Sequence, residues 1–266
     1  MSSDSSLWQV PGSEVREFSP RRSSYAVLVF VVNEGERVRQ QLRAMTALVP
    51  VIDIVIADGG STDGSLDSAF LQSCGVRALL TKRGPGRLSA QMRMALAWGL
   101  LQDYQGLVVV DGNNKDDTSA VPLFIEALRQ GFDHVQGSRY VRGGSGINTP
   151  FLRHWGVKFL HAPLIARAAR FPYTDTTNGF RAYSRRLLLD DRVQPFRDVF
   201  QRYELHYYLA IRAGRLGFRV TEVPVIRAYP SGEAAPTKIS PIRGNLGILH
   251  TLIRAVRGKF NPQHPA

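Results

Sequence analysis

The chain of 266 residues contains one cysteine, Cys74. A lone thiol forms no intramolecular disulfide and builds no cysteine-based zinc site, so the disulfide-stapled class is set aside and a reducing compartment fits. No apolar run reaches the roughly 18 residues that a membrane-crossing helix needs. Met1–Pro20 lacks the apolar core of a secretory signal and reads as a polar, poorly ordered leader. These absences lead to an expected location in the cytoplasm, with the inner face of the membrane as the place of work. They also divide the chain into a disordered leader over 1–22, a large domain over 23–240 and a basic amphipathic helix with its tail over 241–266.

Acidic residues are also scarce, but only in the second half. Residues 1–138 hold 13 basic and 15 acidic side chains, whereas residues 139–266 hold 21 and 7. An excess this lopsided suggests an anionic partner: a phosphorylated lipid, an anionic membrane, a polyanionic substrate or nucleic acid. Nucleic acid is disfavoured. Asp58, Asp63, Asp111, Asp116 and Asp117 would repel its backbone, and no helix-turn-helix, zinc-finger or RNA-reading aromatic signature is apparent.

What the chain does contain is a repeated device. The apolar run Val51–Ala57 ends in Asp58-Gly59-Gly60-Ser61-Thr62-Asp63-Gly64-Ser65, and Leu107–Val110 ends in Asp111-Gly112-Asn113-Asn114. A carboxylate at the carboxyl end of a buried strand points into the crevice where open α/β sheets bind ligands. Between the two lies Lys82-Arg83-Gly84-Pro85-Gly86-Arg87-Leu88-Ser89, a basic loop at a helix start that suits a phosphate.

The periodicities surround this device with alternating elements. Strands are expected over Tyr25–Val32, Val51–Ala57, Val76–Leu80 and Leu107–Val110. Helices are expected over Glu36–Leu48, Thr62–Leu71, Leu88–Leu101 and Ala120–Arg129. The rhythm then breaks. Asp133–Tyr140 reads as a strand, Val141–Pro150 as a mobile Gly-rich loop, Phe151–Arg170 as an Arg- and His-rich helix and Gly179–Ser184 as a short strand or turn. Phe200–Ala213 reads as a helix, Phe218–Val225 as a strand and Ile242–Val256 as an amphipathic basic helix. The fold class is therefore α/β, a Rossmann-like, mostly parallel central sheet flanked by helices.

The order of these pieces resembles the family 2 glycosyltransferases of GT-A fold, and within them the polyprenyl- and dolichyl-phosphate sugar synthases. The pieces that carry the resemblance are Val32-Asn33-Glu34, Ile56–Ser65, Lys82–Ser89, Asp111–Asp117, Gly137–Tyr140, Thr176–Tyr183, Glu222–Val225 and Gly232–Lys238. Each is degenerate, but their order is fairly specific, and the resemblance runs from about Tyr25 to about Val256. The resemblance implies an inverting transfer of a sugar from a nucleotide-sugar donor to a polyprenyl phosphate. A hydroxyl on a glycan or glycolipid is the alternative acceptor.

The resemblance also implies roles. Asn33, Glu34 and Asp58 would hold the nucleoside; Lys82, Arg83, Gly84 and, on a closing loop, Lys238 would hold the diphosphate. Asp111, Gly112 and Asn113 stand at the family's Asp-x-Asp metal motif, for Mg²⁺ or Mn²⁺. Here the second carboxylate is an amide, which weakens a site for a hard cation. Either Asp111 keeps the metal with help from Asp116 or Asp117, or Lys115 supplies the positive charge instead. Arg139 and Arg153 would grip the lipid phosphate, since a planar guanidinium holds phosphate oxygens in pairs. Asn148 would order the Gly-rich loop, and Asn178 and Arg181 would line the sugar. A phosphate acceptor arrives ionised and needs positioning, whereas a hydroxyl acceptor needs a base, for which Asp175 and Glu204 are the candidates. The apolar stripe of the last helix either lies in an anionic membrane surface or packs on the core.

Overall fold

Four apolar runs meet at one crevice. In the computed structural model, which describes residues 5–149, 155–229 and 243–263, β2 (Tyr25–Val31), β3 (Asp53–Asp58), β4 (Val76–Lys82) and β5 (Gly106–Asp111) run parallel in the order β4-β3-β2-β5. The crossovers carry α1 (Glu36–Met45), α2 (Ser68–Ser73) and α3 (Leu88–Leu101). All carboxyl ends therefore open on the same edge.

Alternation along each strand explains why the runs are apolar throughout. Ala26, Leu28 and Phe30 of β2 face one core layer, and Val27, Val29 and Val31 face the other. The first layer packs against α3, and the second against α1 and α4 (Val121–Arg129). A strand covered on both faces has no polar side, which is the signature of a buried parallel sheet.

Beyond β5 the sheet changes character. β8 (Arg181–Ser184) inserts antiparallel between β5 and β6 (His134–Ser138), and β9 (Val220–Pro224) pairs parallel with β6. With β1 (Ser13–Glu17) antiparallel on β4 at the far edge, the sheet has eight strands and is mostly parallel, as expected. A second ribbon joins β7 (Ser145–Ile147) to β10 (Ile226–Ala228) in parallel. Around the first core layer lie α5 (Ala162–Ala169), α6 (Arg185–Leu189), α7 (Glu204–Arg215) and α8 (Arg243–Val256). A π-turn over Val157–His161 leads into α5, and Pro163, which has no backbone N–H to donate, follows it.

Three expectations need correction. Ser13–Glu17, assigned to the disordered leader, is an edge strand. Its side chains are exposed, so no apolar pattern announces it, but its backbone satisfies the open edge of β4. Thr62–Leu71 is not one helix; α2 starts at Ser68. Asp67 caps it by accepting from the Phe70 amide at 2.9 Å, while a left-handed Gly64 (φ 73°) holds the preceding residues in a loop. The Gly-rich segment after Tyr140 contains β7 and is paired there.

The last helix chooses between its two readings. Leu252, Ala255 and the following Phe260 are buried, and Ile248, Leu249 and Val256 pack on the core beside α5 and α7. Its apolar stripe is spent on the protein.

Candidate active site

The donor end of the crevice is built from strand ends that hold one another. Asp58 accepts from the Ser61 amide at 2.8 Å and the Ser61 hydroxyl at 2.6 Å, closing the Asp58-Gly59-Gly60-Ser61 turn. Asn33, in the left-handed region at φ 48°, accepts from the Thr62 amide at its side-chain oxygen at 2.8 Å, and its own backbone amide donates to the Ser61 hydroxyl at 2.9 Å. The β2 and β3 turns thus form one rigid lip. Glu34 sits on it, largely buried, with Arg37 at 3.3 Å.

The basic loop divides its cations. Lys82 is buried; its ammonium donates to the Gly84 carbonyl at 2.6 Å, and burial pushes it down from its ordinary value while Asp58 opposes the shift. Arg83 points the other way, to Glu14 of β1, so it braces the edge strand rather than facing the crevice. Gly84 takes φ 79°, a conformation that suits glycine. Arg87 is exposed at the same loop and has no ion-pair partner among the described residues.

Asp111 ends β5 with its carboxylate about a third exposed. Gln41 fixes the turn below it. Its amide nitrogen donates to the Asp111 carbonyl at 3.0 Å, and its oxygen accepts from the Asn114 amide at 2.8 Å. Gly112 has no room for a side chain: a Cβ there would lie 2.8 Å from Val31 and 3.1 Å from the Phe30 carbonyl. The Asn113 side-chain oxygen accepts from the Lys115 amide at 3.2 Å. Gln91 of α3 ties the neighbouring ends, donating to the Val31 carbonyl at 3.1 Å and to the Ala57 carbonyl.

Opposite Asp111 lies the Thr176-Thr177-Asn178-Gly179 loop. A Cβ on Gly179 would stand 3.1 Å from Asp111 Oδ1, so the glycine keeps the approach to this carboxylate open. Asn178 is fully buried; its oxygen accepts from the Phe180 amide at 3.0 Å, and its Nδ2 has no hydrogen-bond partner among the described residues. Arg181 is buried as well and donates to three carbonyls, those of Asn178 at 3.0 Å, Thr176 at 2.8 Å and His206 at 2.6 Å. It shapes the loop from beneath. Burial, reinforced by this cation, holds His134 and His206 well below their ordinary values, so both rings are neutral.

Arg139 and Asp175 form a buried pair. Nε lies 2.6 Å from Asp175 Oδ2 and Nη2 lies 3.0 Å from Oδ1, with Thr177 Oγ1 at 3.1 Å from Nη2. Nη1 alone has no hydrogen-bond partner among the described residues. Asp175 also accepts from the Thr177 amide at 3.3 Å and is fully buried. This carboxylate is held by an arginine fork and is poorly placed to act as a base. Glu204, the other candidate, accepts from the Gln201 and Arg202 amides at 3.0 and 2.6 Å, which anchors the start of α7 beside the basic loop.

The structure thus brings Asn33, Glu34, Asp58, Lys82, Asp111, Gly112 and Asn113 to the strand ends, with Arg139, Asp175, Asn178 and Arg181 across from them. Arg153 and Lys238 lie outside the described residues. Asn148 donates to the Tyr229 carbonyl at 3.2 Å and so links the β7 and β10 ends. Sequence reasoning missed Gln41 and Gln91. Gln41 gave a signal: an amide interrupting the Val38, Leu42, Met45 stripe. Glu222 lay within a matching piece but was given no role; it accepts from the Thr174 and Asp175 amides at 3.0 and 3.1 Å and sets the loop that carries Asp175. Arg227, one charge inside an otherwise apolar strand end, was missed too.

A large, mostly parallel sheet flanked by helices, with acidic turns at its strand ends, matches the GT-A architecture of glycosyltransferases. The solved structure of glucosyl-3-phosphoglycerate synthase from Mycobacterium tuberculosis superposes with a TM-score of 0.62 at 18% identity, over 88% of this chain and 80% of that one. The same enzyme with Mn²⁺, UDP and glucosyl-3-phosphoglycerate superposes with a TM-score of 0.57 at 18% identity, over 89% of this chain and 78% of that one. In sequence, the chain is 29% identical to an undecaprenyl-phosphate mannosyltransferase of Micrococcus luteus, over 78% of this chain and 84% of the relative. It is 27% identical to a polyprenol monophosphomannose synthase of Mycolicibacterium smegmatis, over 80% of each. No family model matches the chain. Fold and relatives agree: the protein is a glycosyltransferase of GT-A fold, similar in sequence to the polyprenyl-phosphate sugar synthases.

Proposed function

We propose that the protein transfers a sugar from a nucleoside-diphosphate donor to a polyprenyl phosphate by a single displacement that inverts the anomeric carbon. The acceptor named in the relatives supports this reading, and one observation carries it. Both carboxylates that a hydroxyl acceptor would require as a base are engaged: Asp175 by Arg139 and Glu204 by two backbone amides. A phosphate acceptor is already ionised and needs only to be positioned.

The donor's nucleoside fits the lip formed by Asn33, Glu34 and Asp58. Lys82 shapes the diphosphate loop through its carbonyls, and Arg87, in place of Arg83, offers the exposed charge there. Asp111 and Asn113 form a donor set of one carboxylate and one amide, and among the described residues no group of three or more acidic, histidine or cysteine side chains is arranged to hold a metal. Such a set suits a Mg²⁺ or Mn²⁺ that takes its remaining ligands from substrate phosphates and water. A cation bound there would neutralise charge developing on the departing diphosphate. Arg139 positions the acceptor side through its one unpartnered nitrogen, held still by Asp175, and Arg153 and Lys238 are assigned to the acceptor phosphate and the closing loop.

No described helix is long and apolar enough to cross a membrane. We assign peripheral contact with an anionic membrane, at its cytosolic face, to the exposed residues around the π-turn that leads into α5 rather than to α8. Trp155 and Phe159 stack there with ring centroids 5.0 Å apart, and both are exposed together with Leu160. An exposed aromatic and aliphatic group suits an interfacial site.

A thermal-shift panel with UDP, GDP, CDP and ADP, each with and without Mn²⁺, tests the donor. Stabilisation by one diphosphate names the base, and no shift with any of them removes the donor reading. Transfer of labelled sugar to a polyprenyl phosphate tests the acceptor. Activity on a glycan hydroxyl and none on the lipid phosphate would replace it with the hydroxyl reading. Vesicles containing anionic lipid should sediment the protein at low salt, and less of the Trp155→Ala variant.

A further inference from the structure

Arg227 on β10 lies against the carboxylate assigned to the metal. It is buried, with Nη2 3.4 Å from Asp111 Oδ2 and Nη1 donating to Asp116 Oδ2. The backbone fixes this placement. The Asp117 amide donates to the Ile226 carbonyl at 2.9 Å, the Ala228 amide donates to the Lys115 carbonyl at 2.7 Å, and Asp116 and Arg227 form a bridge between the two segments. Asp116 is buried too, and its Oδ1 has no hydrogen-bond partner among the described residues. One guanidinium therefore serves two carboxylates unequally. Asp116 holds it closely, and Asp111 shares it at the limit of hydrogen-bond distance.

We propose that Arg227 is a positioning residue that makes metal binding at Asp111 depend on the donor diphosphate. This rests on the donor reading given above. Asn113 has already taken one negative charge out of the motif, and Arg227 offsets part of the charge on Asp111. A divalent cation arriving alone meets a carboxylate that another cation shares, and the two cations repel. A nucleoside diphosphate brings its own negative charges and oxygen ligands, so metal and diphosphate enter together. Asp116 is the anchor of this arrangement: it keeps Arg227 from closing fully on Asp111.

The test is a Mn²⁺ titration followed by electron paramagnetic resonance, on the full chain, with and without the diphosphate that the thermal-shift panel selects. Arg227→Gln should bind Mn²⁺ alone about tenfold more tightly than the wild type, within the usual range of site-to-site coupling. Its extra gain on adding the diphosphate should shrink by the same factor. Arg227→Lys keeps the charge and should restore the weak binding of Mn²⁺ alone. Asp116→Asn should move the other way, weakening Mn²⁺ binding by releasing Arg227 onto Asp111, and it tests the same arrangement should Arg227→Gln fail to fold. Circular dichroism melting establishes which variants are folded. Unchanged or weaker Mn²⁺ binding in a folded Arg227→Gln that still binds the diphosphate overturns this proposal alone. Tighter Mn²⁺ binding in Asp116→Asn overturns it as well. Failure of every form, wild type included, to bind diphosphate with or without Mn²⁺ overturns the donor reading and this proposal with it.

Discussion

The two ends of the crevice handle charge in opposite ways. At the donor end, Asp58 and Asp111 terminate parallel strands; Ser61 holds the Asp58 carboxylate, Gln41 and Gln91 hold strand-end carbonyls, and the Asp111 carboxylate stays about a third exposed beside Arg227. At the acceptor end, Arg139 and Asp175 cancel each other in the interior, and Arg181 is spent on three carbonyls. The half of the chain with the large basic excess therefore keeps two of its assigned site arginines out of solvent. Net charge counts side chains, whereas a site is made by those whose charge is still available.

Asp111→Asn should sharpen this contrast most. Removing the one exposed carboxylate of the motif should lower kcat/KM for sugar transfer by about 10²–10³-fold, the scale of losing a group that stabilises transition-state charge. Urea unfolding should show the fold unchanged. A full-rate variant would shift the burden to Lys115 and Arg227.

Next in size, Asp175→Asn leaves the Arg139 guanidinium buried without its partner and should destabilise the protein by about 3–5 kcal/mol, read from the urea midpoint. Glu204→Gln should cost about 1–3 kcal/mol and leave transfer in place, because its carboxylate meets only amides that begin a helix. A stable Glu204→Gln that had lost transfer would break the comparison and restore the hydroxyl acceptor with its base.

Gln41→Ala leaves the Asn114 amide and the Asp111 carbonyl unmatched and should cost about 1–3 kcal/mol in the same urea measurement. The smallest effect concerns pH. His134 is held well below its ordinary value by burial and by Arg181. The unfolded chain takes up a proton below about pH 6.5 while the folded one does not, so stability is present above that pH and falls as the pH drops toward the folded value. In His134→Gln this part of the slope should vanish; an unchanged slope would place the acid sensitivity elsewhere.

The donor end was legible because its chemistry is local. Asp58 and Asp111 follow apolar runs directly, and the Gly-rich turns after them are adjacent in sequence. The acceptor end was legible only as residue types. Arg139 and Asp175 are 36 positions apart and pair through β6 and the loop ahead of β8. Arg83 shows the same limit: its sequence neighbours place it with Lys82, but alternation at the strand end sends it to Glu14 on an edge strand that no hydrophobic pattern marked.

The sequence by itself determined the parallel sheet, the order of its helices and the acidic strand ends, because periodicity and turn chemistry act over a few residues. Only the tertiary structure decided which charges remain available. Whether Arg139 meets Asp175, whether Arg227 reaches Asp111 and whether the last helix spends its apolar face on the core are settled by long-range contacts. Burial makes an ion expensive unless a distant partner arrives, and nothing in the local sequence fixes which partner that is.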